Sequence, residues 1–178
     1  MAEIDWGAVE RLVRPLHSRD PLYDWATANR MARQTAFLCG SVDDVNADRA
    51  RLLCWFHALR ERATDPAERR KWTRPLRDAG VSLPDQTWLW IALPRYLEQP
   101  ATDEERVAHD ARALERVGAV GIARAFLHGG REDRPIEEIT GEIRKGIAEA
   151  VFLTPAARRL GVRRIVYARR FLKELEED

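Results

Sequence analysis

The chain has 178 residues, of which 45% are hydrophobic and 33% are charged, and its formal net charge is +1. This balance excludes a disordered chain and a protein built around a strongly basic surface, so we expect no nucleic-acid partner. The length favours one domain over residues 1–178, with a substantial core.

No apolar run approaches the length that spans a bilayer. The first residues lack the basic and apolar regions of a secretory signal. The two cysteines are too few for a zinc motif. These observations predict no membrane partner and a cytoplasmic location.

Signals for helices follow one another along the chain. Capping side chains precede prolines at Asp20-Pro21, Asp65-Pro66 and Thr154-Pro155, and the segments that begin at Ser41 and Thr102 resemble capping boxes. Between these marks apolar residues recur at steps of three and four. The sequence therefore predicts an all-α protein, a compact bundle of about seven to eight helices. We place them at about 5–16, 21–39, 42–63, 66–79, 84–98, 103–129 with a break near Gly118, 136–152 and 155–176.

Asp110 lies in the apolar stripe of the helix predicted over residues 103–129. Steps of three and four place it on one face with Val107, Leu114 and Val117. A buried carboxylate is costly unless a metal, a cation or several hydrogen-bond donors contact it. The residues alone leave open whether Asp110 has a structural role or belongs to a functional site.

The four histidines differ in their surroundings. His57 lies at the edge of the inward stripe of the most apolar helix, where a half-buried histidine that bonds to a carbonyl group is more common than a catalytic one. His109 is expected at the surface or at the rim of a site, since it points about 100° away from Asp110. His17 and His128 lie at helix ends, where a positive charge is favourable.

Several segments resemble the HD-domain phosphohydrolases, over about residues 17–178. The run Asp110-Ala-Arg-Ala-Leu-Glu-Arg-Val-Gly118 is similar to the family's Asp-Ala-Asp-x-Leu-Asp-x-hydrophobic-Gly segment, which carries the last metal ligand. Asp24-Trp-Ala-Thr-Ala-Asn-Arg-Met31 resembles the early Asp-Trp-x-His-x-x-Arg-Val motif. Leu53-Cys-Trp-Phe-His-Ala58 resembles the helix that ends in the His-Asp pair, and the C-terminal helix is similar as well.

The resemblance implies the HD fold and a metal site of His, His-Asp and a distant Asp, which activates water to hydrolyse phosphate esters. The position of the first histidine is Thr27, and the aspartate after His57 is replaced by Ala58. Losing two direct ligands is expected to weaken metal binding by roughly 10²–10⁴. We therefore expect no cofactor. If a divalent metal is retained, its ligands are His57 and Asp110.

The resemblance also implies that His57 and Asp110 face each other. Asp110 would then orient the imidazole and raise its pKa, which makes a metal-free catalytic dyad. We expect a degenerate HD protein whose pocket binds a small polar or anionic molecule, with lyase, isomerase or hydrolase chemistry on the dyad. The candidate ligand-binding residues are Thr27, Arg30, Arg95 and Arg124.

Two other functions remain open at this point. One is an active metal-dependent phosphohydrolase with substituted ligands, and the other is a non-catalytic structural or regulatory protein. The sequence does not identify the ligand, the reaction or the oligomeric state.

Overall fold

The structure, a computed structural model, describes residues 3–17 and 24–177. These residues form nine α-helices and two short 3₁₀ helices, without a β-strand. The all-α class predicted from the sequence is confirmed. The α-helices, numbered in chain order, are α1 (Trp6–Val13), α2 (Trp25–Cys39), α3 (Ala47–Trp55), α4 (Pro66–Asp78), α5 (Leu83–Ala92), α6 (Asp103–Arg116), α7 (Gly118–Arg131), α8 (Ile136–Ala148) and α9 (Pro155–Glu177).

The expected break near Gly118 separates α6 from α7. Val117 has extended backbone angles, and Gly118 has a φ of 76°, in the left-handed region that glycine adopts without steric cost. Gly121 also needs its small size, because a Cβ there would lie 2.2 Å from the carbonyl oxygen of Arg116. The two glycines allow α7 to leave α6 at a sharp turn.

Helix α2 begins later than the predicted residue 21. Asp24 has an extended backbone and caps the helix, because its carboxylate accepts the N–H of Thr27 at 2.7 Å. The predicted cap at Asp20-Pro21 lies outside the described residues.

The predicted helix over residues 42–63 is wrong at both ends. It begins at Ala47, because Asn46 caps it by accepting two backbone N–H groups and Asp44 has a positive φ of 55°. It ends at Trp55, and a 3₁₀ helix over His57–Arg62 follows. His57 therefore lies on a 3₁₀ helix, which is wound more tightly than α3.

Other predicted boundaries agree with the structure or differ at one end. The caps at Asp65, Thr102 and Thr154 are confirmed by hydrogen bonds from backbone N–H groups. Helix α5 ends at Ala92, two residues before Pro94, instead of continuing to residue 98, since proline cannot donate the next hydrogen bond. Helix α8 ends at Ala148 instead of residue 152.

Two apolar clusters hold the helices together. The larger one is centred where α2, α3 and α6 pack against each other, around buried side chains such as Met31, Leu53 and Leu114. The smaller one joins α7, α8 and α9 around Ile139 and Leu172. Each fully buried side chain of this size contributes about 1.5–3 kcal/mol. Because α6 belongs to the first cluster and α7 to the second, the turn between them lies where the two clusters meet.

Within the described ranges, no helix combines the length and the apolar character needed to cross a membrane.

Candidate functional site

Asp110 is fully buried on α6, and the N-terminus of α9 satisfies its carboxylate. One oxygen accepts the backbone N–H of Leu153 at 2.8 Å, and the other accepts the N–H of Thr154 at 2.7 Å. The Nδ1 atom of His109 lies 3.2 Å from the first oxygen. The first N–H groups of a helix have no partner inside the helix and favour a negative charge. Asp110 therefore fastens α6 to the start of α9.

His57 is buried beside Tyr96. Its Nδ1 atom lies 2.7 Å from the hydroxyl oxygen of Tyr96, and 8% of the residue is exposed. Burial, followed by the positive charges of Arg112 and Arg60, lowers the pKa of His57 to about 3. The imidazole is therefore neutral near pH 7 and can offer a nitrogen atom as a hydrogen-bond partner.

The two residues of the expected dyad, His57 and Asp110, form hydrogen bonds with different partners. Among the described residues, the hydrogen bonds of Asp110 go to Leu153, Thr154 and His109, so its carboxylate does not orient His57 through a direct bond. The pKa of His57 is lowered rather than raised, because burial, and after it the positive charges of Arg112 and Arg60, disfavour the protonated imidazole. The sequence could not show that backbone N–H groups just before α9 would donate to both oxygens of Asp110.

Three of the four predicted ligand-binding residues, Thr27, Arg30 and Arg124, come together around Glu115. The buried Glu115 carboxylate lies 3.0 Å from Nε of Arg30 and 3.5 Å from Nη1 of Arg124. Arg30 also donates to the hydroxyl of Thr27 at 3.2 Å, and Gln34 donates to Glu115 at 2.6 Å. This buried network joins α2, α6 and α7. Its charged groups therefore mainly pair with each other and stabilise the packing of these helices.

Arg95 lies in a different environment from the other three. It donates to both carboxylate oxygens of the fully buried Glu105, at 3.2 and 2.8 Å. Glu105 also accepts the backbone N–H of Ala101 at 2.9 Å. Arg95 therefore ties the turns after α5 to the first turn of α6.

A cavity of about 650 Å³ opens beside His57. Ala58, at the position of the family's paired aspartate, also lines it. Its other lining residues include His109 and three cations: Arg60, Arg112 and Arg116. This volume lies in the range of small-molecule sites, and the arginines suit an anionic group.

The three cavity arginines were not among the residues predicted from the sequence. Arg112 and Arg116 are four residues apart and therefore lie on one face of α6. Arg112 stands two residues after Asp110, where the family segment has its second aspartate. The change from an acidic to a basic residue at this position was the signal in the sequence that could have identified Arg112 as a site residue.

The residues present do not fit the metal site of the family. In the described part of the chain, no group of three or more His, Cys, Asp or Glu side chains is placed to hold a metal ion. Ala58 offers no ligand atom, and both oxygens of Asp110 already accept backbone N–H groups. Arg112 adds a positive charge where a cation would need negative ones.

Comparison of the sequence with family models and with curated proteins finds no match. Solved structures do match. YpgQ of Bacillus subtilis, in complex with ADP, has a TM-score of 0.77 at 20% identity, over 97% of this chain and 93% of that one. A predicted HD-superfamily hydrolase from an uncultured Thermotogales bacterium has a TM-score of 0.70 at 17% identity, over 98% and 92%. An HD-superfamily hydrolase of Bacillus thuringiensis has a TM-score of 0.67 at 17% identity, over 86% and 84%.

The chain therefore shares the helical fold of these proteins, two of which are described as HD-superfamily hydrolases, as the sequence predicted. At these identities the likeness establishes the fold and leaves the function to the residues of the site.

Proposed function

We propose that this HD-fold protein binds a small anionic molecule in the cavity beside His57, without the metal centre of the family. Phosphate is the group that suits the cavity best, since guanidinium groups bind its oxygens in pairs. The observation that carries the proposal is the change of charge at the cavity wall. Ala58 and Arg112 stand where the family has aspartates, and Arg116 adds a second cation on the same face of α6.

The complex of YpgQ with ADP supports a ligand that contains phosphate. That protein shares the fold over nearly its whole length, and its bound molecule carries anionic groups of this kind. On our proposal, Arg112 and Arg116 provide in this chain the positive charge that a metal ion provides in HD phosphohydrolases.

His57 contributes a neutral ring nitrogen to the proposed site. A bound anion would offset the charges of Arg112 and Arg60, which help to lower the pKa of His57. Ligand binding would then raise that pKa and draw a proton toward the imidazole. Acid–base chemistry at His57, whether in a lyase, isomerase or hydrolase reaction, therefore requires the bound anion. Asp110 contributes to the site indirectly, because it holds α6 in place.

Calorimetric titration with ADP and with phenyl phosphate, in buffer that contains EDTA, tests this proposal. We expect both to bind, and we expect the affinity to fall as salt is added, because the contacts are ionic. Arg116→Gln should weaken binding by about tenfold or more, the loss of one charged hydrogen bond. The matched control is Arg170→Gln, since Arg170 is an exposed arginine on α9 that pairs with Glu174.

Three results would overturn the proposal. Binding or phosphatase activity that appears only with manganese and disappears with EDTA would favour a metal-dependent phosphohydrolase with substituted ligands. No binding of either probe to the folded protein would favour a structural or regulatory protein. Equal weakening by the Arg116 and Arg170 variants would place the ligand elsewhere.

A further inference from the structure

A second cavity lies on the other side of Arg112 and Arg116. It has a volume of about 430 Å³ and is lined by residues of α6, α7 and α8, including Arg124, His128 and Ile143. The two cavities share four lining residues: Arg112, Arg116, Gly146 and Glu149. They are therefore neighbouring parts of one cleft, which we call the His57 compartment and the His128 compartment, and the four shared residues form the seam between them.

The charges of the described lining residues are distributed unevenly along this cleft. In the His57 compartment, Arg60 is balanced by Glu61. In the His128 compartment, the cations are balanced by acids: Arg124 and Lys145 by Glu115 and Glu142. At the seam two arginines lie with one acid, Glu149, which is 3.9 Å from Lys145. The excess positive charge of the cleft is therefore at its middle.

Arg116 has the freedom to bind a ligand at this seam. It is exposed at the end of α6, and within the described ranges it forms no ion pair with an acidic side chain. An anionic group bound there would have open space on both sides, toward His57 in one direction and toward His128 in the other.

Gly146 lies in the wall of both compartments. It lies inside α8, where a glycine costs about 0.5–1 kcal/mol relative to alanine. A Cβ at this position would meet no protein atom within 4 Å, so packing does not require the glycine. A larger side chain would instead project into the space of the cleft, because Gly146 lines both compartments.

From these observations we infer that the protein binds an elongated ligand whose anionic group is internal, with an organic arm in each compartment, as in a diester of phosphate. This inference rests on the proposed function. It adds the His128 compartment as a second binding region, and it makes Gly146 a residue that determines which ligand lengths fit.

The test compares phenyl phosphate, which has one arm, with diphenyl phosphate, which has two. We expect diphenyl phosphate to bind about tenfold more tightly despite its smaller charge, since six additional carbon atoms would be buried. Gly146→Phe should remove that advantage, so that the two probes bind the variant with similar affinities; the readout is the ratio of the two affinities, because Gly146 lines both compartments. Gly141→Phe is the matched control, because Gly141 is an exposed glycine of the same helix whose Cβ would also meet no atom within 4 Å.

Circular dichroism and thermal melting establish that both glycine variants are folded. If diphenyl phosphate binds no more tightly than phenyl phosphate, or if Gly146→Phe keeps the advantage, the inference is wrong while the proposed function stands. If Gly141→Phe has the same effect as Gly146→Phe, the inference is also wrong. If phenyl phosphate itself does not bind, the proposed function fails and the inference fails with it.

Discussion

Asp110 and Thr154 are joined by a hydrogen bond of 2.7 Å, in which the backbone N–H at the start of α9 donates to the buried carboxylate. The neighbouring N–H of Leu153 donates to the other oxygen at 2.8 Å. Asp110, which the sequence resemblance placed at the position of a metal ligand, holds two helices together in this structure. The charge of Asp110 is compensated by the two backbone N–H groups that immediately precede α9, at a helix N-terminus that favours an anion.

Asp110→Asn should therefore destabilise the protein even without any ligand. The amide can accept only one of the two N–H groups and presents its own N–H₂ to the other. We expect a loss of about 2–3 kcal/mol, the range for a hydrogen bond to a buried charged group. Denaturation by urea measures it, and the control is Asp103→Asn on the exposed first turn of α6, which should cost less than about 1 kcal/mol. If the Asp110→Asn variant is as stable as the unmodified protein, the carboxylate does not stabilise the contact between α6 and the start of α9.

The stability of the protein should depend on the protonation of His57. Its pKa in the folded protein is about 3, chiefly because of burial and then because of Arg112, Arg60 and His17, whereas an unfolded histidine has a pKa of about 6.5. Between these values the unfolded chain binds more protons, so stability is lost as the pH falls below about 6.5. The loss should reach about 2 kcal/mol at pH 5.

His57→Asn removes this titration. The variant should lose less stability between pH 7 and pH 5 than the unmodified protein, in urea denaturation followed by tryptophan fluorescence. An NMR titration of the imidazole signals, assigned with the same variant, measures the pKa directly. A midpoint near pH 6.5 would contradict the buried environment described for His57.

Glu115 is expected to be a major contributor to stability, because it is a buried acid that contacts two arginines. Glu115→Gln would remove the carboxylate charge that contacts the guanidinium groups of Arg30 and Arg124. Breaking a buried ion pair in this way costs about 3–5 kcal/mol. Thermal melting should show the loss, whereas the exposed pair of Glu174 with Arg170 should contribute little, so Glu174→Gln is the control. Similar melting temperatures for the two variants would show that the Glu115 network is not important for folding.

The close packing of the turn between α6 and α7 should not tolerate a side chain at Gly121. Gly121→Ala should destabilise the protein by about 1–3 kcal/mol, because its Cβ would overlap the carbonyl oxygen of Arg116, a backbone atom that cannot move away alone. Gly141→Ala, in an open position on α8, should stabilise it by about 0.5–1 kcal/mol. Urea denaturation measures the change in the free energy of unfolding of each variant. Changes of opposite sign would support the close packing of this turn, and a stabilised Gly121 variant would contradict it.

Much of the fold follows from local signals in the sequence. The caps at Asp65, Thr102 and Thr154 and the break at Gly118 depend on side chains and backbone angles within a few residues. Where two signals competed, local reasoning failed. Ser41 and Asp44 resembled a cap, but Asn46 caps α3 and the 3₁₀ helix at His57 interrupts the apolar run.

The resemblance to HD phosphohydrolases directed attention to His57 and Asp110, and the fold agrees with it. The partners of these residues could not be predicted, because they come from distant parts of the chain. Asp110 contacts the backbone of residues 153 and 154, and His57 contacts Tyr96. Every helix start has backbone N–H groups that can donate a hydrogen bond. The sequence therefore does not indicate which helix start will contact a given carboxylate.

The sequence by itself determined the helical class, most helix ends, and the departures from the family pattern at Thr27 and Ala58. These depend on residue type and on spacing along the chain. Only the tertiary structure decided that Arg112 and Arg116 line a cavity while Arg30 and Arg95 pair with buried acids. An arginine is identical in sequence whether it faces a cavity or a carboxylate, and the packing of the helices decides which of the two it meets.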